Sequence, residues 1–187
     1  MCTYSISQRE AACPLYLYRF PPEAGLEGRP FFAAPSGGGA ADLFYVPRGC
    51  GAAAGTGAGC LLFLEDEPDA IRLPDGRKAP VCDFSAAGTP LPDPIRGWVR
   101  LGPVCASFPL PCPPGGGEAM SRAALAERIT GKAVFYAAPF GCMACVLPQP
   151  PARLLLFDTD ETLQKKLLLA EARGAEGVFG CLSCEQA

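Results

Sequence analysis

The 187-residue sequence predicts an α+β protein, with a mainly antiparallel β region followed by a smaller mixed α/β region that carries two Cys-x-x-Cys knuckles. Three observations point there. Short runs of aromatic and branched residues, separated by Gly and Pro, fill the first half. Helix-favouring, Ala- and Leu-rich segments begin only after the breaker-rich stretch "FPLPCPPGGG" at 108–117. The segment Phe-Gly-Cys-x-x-Cys is written twice, at 140–145 and at 179–184. The β region is therefore assigned to 1–107, a Pro/Gly-rich linker to 108–117, and the α/β region to 118–187.

In chain order, "PLYLYRF" (14–20), "PFFAA" (30–34), "DLFYVP" (42–47) and "CLLFLED" (60–66) read as strands bounded by turn formers. "RGCGAAAGTGAGC" (48–60) is a Gly/Ala loop. It lacks the Lys-Ser/Thr and the following helix that a phosphate-binding loop needs. Asp75-Gly76 marks a hairpin turn, and 95–106 reads as a strand with Trp98, the single tryptophan, as core anchor. Residues 118–130 favour a helix stopped by Gly131, and 132–138 a strand leading into the first Cys pair. Residues 152–157 form a further strand. Residues 158–173 make the strongest helix: Asp158 or Thr159 caps it, acids fill its first turn, Leu163 and Leu167 share a face, and Gly174 ends it. "EGVFG" then runs into the second pair. A helix–Gly–strand–FGCxxC unit thus occurs twice, and mirrored elements can bring both pairs to one place.

Composition narrows the function. Hydrophobic residues make up 49% and charged residues 19%, enough apolar content for a buried core. Nineteen acidic against sixteen basic residues, with no basic block, argue against binding nucleic acid by phosphate neutralisation. Apolar runs such as "CLLFL" and "ARLLLF" are too short to span a membrane. The first twenty residues hold no basic leader followed by an apolar run, and the eleven cysteines are odd in number. Both features predict an intracellular protein, cytoplasmic or nuclear, with reduced thiols. The bias toward Ala, Gly, Pro and Arg suggests a GC-rich genome, cellular or that of a large DNA virus. Histidine is absent, which removes Ser-His-Asp triads, Cys-His pairs and His-bearing zinc sites.

Cys142, Cys145, Cys181 and Cys184 form C-x2-C–x35–C-x2-C. Two residues between cysteines let both sulfurs of a tight turn face one ion, and two such turns complete a tetrahedral set at about 2.3 Å from zinc. The preceding Gly lets the backbone turn sharply. These four residues are the candidate ligands of a structural zinc, with an iron–sulfur cluster as the less favoured cofactor. The leading reading is a non-enzymatic, zinc-stabilised protein-interaction or regulatory module whose partner is a protein. Loss of Cys184 would then cost several kcal/mol. The alternative is a thiol–disulfide redox protein using the CxxC pairs, although neither pair opens a helix as such sites require.

"LLLFDTDETL" (154–163) resembles the first motif of the haloacid-dehalogenase phosphohydrolases, a hydrophobic strand ending in Asp-x-Asp-x-Thr. That resemblance covers ten residues. It implies Asp158 as nucleophile, Asp160 as general acid–base and Mg²⁺ as cofactor. Only 25 residues follow Thr162, too few for the family's downstream Lys and acidic motifs. The same letters also describe a buried strand running into an acid-capped helix.

Overall fold

The structure, a computed structural model, describes residues 15–19, 29–30, 33–34, 43–46, 61–64, 67, 69–73, 75–85, 88–111, 117–181 and 184. Among these residues, fourteen strands and two α-helices follow one another in the order β1 (Leu15–Arg19), β2 (Arg29–Pro30), β3 (Ala33–Ala34), β4 (Leu43–Val46), β5 (Leu61–Leu64), β6 (Ala70–Arg72), β7 (Lys78–Asp83), β8 (Trp98–Leu101), β9 (Cys105–Pro109), β10 (Glu118–Ala119), α1 (Arg122–Ile129), β11 (Val134–Ala137), β12 (Cys142–Leu147), β13 (Arg153–Phe157), α2 (Asp160–Ala172) and β14 (Gly177–Cys181). A 3-10 turn at Ala138–Phe140 joins β11 to β12.

The strands make two sheets. The first has nine strands in the order β2-β1-β14-β8-β7-β6-β5-β4-β3, and the second five in the order β10-β9-β13-β12-β11. The content is mixed α/β, as the sequence predicts, but the strand directions differ from expectation. The first sheet is mixed: β3–β4, β4–β5, β7–β8 and β8–β14 are parallel pairs. The second sheet, in the C-terminal half, is antiparallel throughout. Alternating residues announce a strand but carry no mark of which way its partner runs.

Both sheets draw strands from before and after residues 112–116. β9 overlaps the start of 108–117 and belongs to the second sheet, while β14 returns from the chain's last part to sit between β1 and β8. Residues 112–116 and the Gly/Ala loop at 48–60 lie outside the described residues.

Local signals account for both helices. Ser121 caps α1, its hydroxyl accepting the Ala124 N–H at 3.2 Å. α2 begins with a reciprocal box: the Thr159 hydroxyl accepts from the Thr162 N–H at 3.2 Å, and the Thr162 hydroxyl accepts from the Thr159 N–H at 2.8 Å. Asp160 and Glu161 stand in its first turn, where the helix dipole favours them. Gly174, at φ +88°, lets the chain leave α2 in the left-handed region.

α2 buries Leu163, Leu167 and Ala170 against Val99 and Leu101 of β8, Val178 of β14, and Phe84 and Ile95. A fully buried Leu such as Leu163 contributes about 1.5–3 kcal/mol. α1 covers one face of the second sheet, where Leu125 packs with Cys145, Leu155 and Phe157. The opposite face gathers Val104, Ala106, Phe108, Cys142, Ala144 and Leu156. Trp98 is buried in β8, the anchor its sequence context predicts.

Candidate functional site

The chemistry-bearing residues meet where β13 ends and α2 begins. β13 delivers Asp158 to the seam between the sheets, and the carboxylate is wholly buried. Its Oδ1 accepts the Thr162 hydroxyl at 2.7 Å. Its Oδ2 accepts the Val104 N–H at 2.8 Å and the Lys166 ammonium at 2.7 Å. Val104 and Asp158 are tied a second time, since the Asp158 N–H donates to the Val104 carbonyl at 2.8 Å. Lys166 is 1% exposed and also donates to the Phe84 carbonyl, at the end of β7, at 3.2 Å. One ammonium therefore links the nine-stranded sheet, through Phe84, to the five-stranded sheet, through Asp158. Arg122 adds a further tie, its Nη1 donating to the Asp158 carbonyl at 2.5 Å.

Lys166 and Val104 are the site residues that motif reading misses. A signal existed: Leu163, Lys166, Leu167 and Ala170 fall at i, i+3, i+4 and i+7, so the lysine occupies the apolar stripe of α2. A charge on that stripe needs a buried partner, and the carboxylate two turns earlier supplies it.

Of the four cysteines of the zinc expectation, the first pair stands in a strand. Cys142 and Cys145 lie in strand β12, three residues apart, and so on opposite faces of the sheet. Cys142 belongs to the cluster with Val104 and Phe108, and Cys145 to the cluster under α1. Cys181 is the last residue of β14, and its side chain lies outside the described part. Cys184 packs, half-buried, against the α2 core, and its N–H donates to Asp160 Oδ1 at 2.7 Å. Among the described residues, no group of three or more Cys, Asp or Glu is gathered to hold a metal.

The two glycines of the repeat serve unrelated ends. Gly141, at φ +63°, closes the 3-10 turn into β12, and a Cβ there would meet the Leu91 side chain and the stem of Lys166. Gly180, at φ +134°, lies against the Leu101 carbonyl of β8. The helix–Gly–strand units do recur, but β11 is an edge of the second sheet and β14 is central in the first.

Burial governs the thiols. It pushes Cys142 up to about 11, Asp158 adding to the rise and Lys166 opposing it. Burial likewise raises Cys184 to about 11, with Arg122 opposing and Asp160 and Asp158 adding. Cys82 and Cys105 are raised for the same reason. A thiol raised on folding keeps its proton after the unfolded chain has lost it. Stability is therefore complete below about pH 9 and falls as pH rises toward 11, by about 1.4 kcal/mol per pH unit for a group such as Cys142. Urea midpoints measured under reducing conditions between pH 8 and 11 should show this decline, and Cys142→Ala should flatten its slope. An unchanged slope in the variant would contradict the assignment.

No protein-family profile matches the chain, and no curated protein matches it. Among solved structures, it is similar in part to one from Bacillus subtilis named as a sporulation-specific glycosylase, ydhD, at 15% identity and a TM-score of 0.33. The likeness spans 43% of this chain and 30% of that one, and at that score it carries no argument about fold or activity. Among the described residues, no helix is long and apolar enough to cross a membrane.

Proposed function

We propose that the chain is a non-enzymatic protein-interaction module in which the acidic motif at 158–162 is a structural joint. The observation that carries this reading is the sealing of Asp158. The carboxylate is 0% exposed, and both its oxygens are engaged by Thr162, Val104 and Lys166. A nucleophilic carboxylate must be reached by a phosphate and a metal ion, and this one has no open side. β13 is also flanked by antiparallel partners on both sides, whereas open α/β sheets bind ligands beyond the carboxyl ends of parallel strands. The redox alternative meets the raised thiols: exchange proceeds through a thiolate, and Cys142 and Cys184 are pushed away from forming one.

Two assays test this. The reduced protein should not hydrolyse a generic aryl phosphate with Mg²⁺, nor catalyse thiol–disulfide exchange, above the rate in buffer. Turnover lost in Asp158→Asn would overturn the reading in favour of a phosphohydrolase. Exchange activity lost in Cys184→Ser would overturn it in favour of a redox protein.

The zinc part of the expectation rests on Cys142, Cys145, Cys181 and Cys184 alone. One ion could take both Cys142 and Cys145 only if β12 opened at its start. Protein purified reduced and without chelator should therefore carry well under one zinc per chain. About one zinc per chain, with four thiols shielded until a chelator is added, would restore the metal reading and require another path for β12.

A further inference from the structure

β11 is an edge of the five-stranded sheet and, among the described residues, pairs only with β12. Its large apolar side chains are exposed, Val134 by 38%, Phe135 by 49% and Tyr136 by 43%, the Tyr136 ring lying under the Lys165 ammonium at 5.4 Å. Proteins commonly guard such edges with charges, prolines or bulges. Between Ala133 and Ala138 there is neither a charge nor a proline. At the N-terminal end of this strand opens a pocket of about 240 Å³, lined by Arg128, Lys132, Leu147, Pro148 and Gln149. Arg77, Lys78, Arg153, Lys165 and Arg173 each face a carboxylate. The Arg128 and Lys132 side chains have no such partner among the described residues.

We infer that β11 and this pocket together receive the C-terminal tail of a partner protein. The tail would add as a sixth, antiparallel strand and place its free carboxylate between Arg128 and Lys132. Direction and charge converge on this occupant. The sheet is antiparallel at every pair, so an added strand continuing the pattern runs against β11. β11 runs away from Lys132, so the added strand runs toward it and its C-terminal end arrives at the two cations. Main-chain pairing to β11 supplies affinity irrespective of sequence, while the pocket reads the chain end. Its volume is below that of a drug-sized site, which suits a single terminal residue. Leu147 and Pro148 favour an apolar side chain there. The guanidinium of Arg128 can hold the carboxylate in two parallel hydrogen bonds, with Lys132 as a point charge beside it.

This inference rests on the interaction-module reading and can fail without it. The test uses the full chain and a library of amino-terminally tethered decapeptides with the last six residues randomised, prepared once with free carboxyl ends and once amidated. The free-acid library should yield sequences with an apolar last residue, and amidation of a selected peptide should weaken its binding at least tenfold. Arg128→Gln and Lys132→Gln, both surface changes, should each weaken it similarly while leaving the urea midpoint unchanged. Val134→Lys should weaken the free-acid and amidated peptides alike by disturbing the edge. Equal enrichment from both libraries, none from either, or an amidated peptide with a Glu side chain binding as well as the free acid would overturn the inference. Phosphatase or exchange turnover would instead overturn the reading beneath it.

Discussion

Lys166→Met should lower the folding stability of the protein by about 3–5 kcal/mol. The methionine fills the lysine's space with an apolar chain of similar length, so packing against Gly141 is largely kept. What is lost is the countercharge to a carboxylate with no exposure, 2.7 Å away. An unpaired buried carboxylate must either stay charged in a low-dielectric seam or take up a proton and give up its strongest bonds. The bond from Lys166 to the Phe84 carbonyl goes too, and with it the direct link between the sheets. Adding Asp158→Asn to this variant removes the orphaned charge. The double variant should therefore be more stable than the sum of the single losses by about 1–3 kcal/mol. Urea unfolding of the four proteins measures this coupling. Strict additivity would show that the two charges do not act on each other.

Gly180→Ala should cost about 2–6 kcal/mol. At φ +134° an L-residue is strained wherever it sits, and the new methyl would be driven into the backbone carbonyl of Leu101. Because β14 and β8 are parallel and central in the first sheet, the strands can separate only by disturbing Trp98 and Val99 on one side and β1 on the other. Gly131→Ala is the control. Gly131 also has positive φ, +69°, but nothing stands near its Cβ position, so only the backbone cost of about 1–2 kcal/mol applies. Equal losses in the two variants would mean that close strand approach at Gly180 is not what the glycine is for.

These two positions also mark what the sequence could and could not convey. The strands at 15–19, 43–46, 61–64, 134–137 and 153–157, and the capped helix at 160–172, follow from periodicity, turn formers and an N-cap, all of which are local. Strand partners are not local. Nothing in "EGVFG" says that it will lie between strands from the first hundred residues, or parallel to one of them. The first Cys-x-x-Cys segment is ambiguous for a related reason. A tight turn and an extended strand can be written with the same letters, and in "FGCMACVL" the turn falls before Cys142, in the 3-10 segment, not between the cysteines. The acidic motif was legible as a strand meeting a helix. Its role depends on Val104, Phe84 and Lys166, and two of those contribute only backbone atoms, which no motif can record.

The urea-unfolding free energy of Asp158→Asn shows most directly whether Asp158 is a structural joint. A buried joint loses its charge-assisted bonds from Lys166, Thr162 and the Val104 N–H, and leaves the ammonium unpaired. The expected loss is about 3–5 kcal/mol. A catalytic carboxylate is typically held at a cost to stability, so neutralising it leaves the fold unchanged or firmer. An unfolding free energy equal to or above that of the parent would mean that Asp158 does not hold the sheets together.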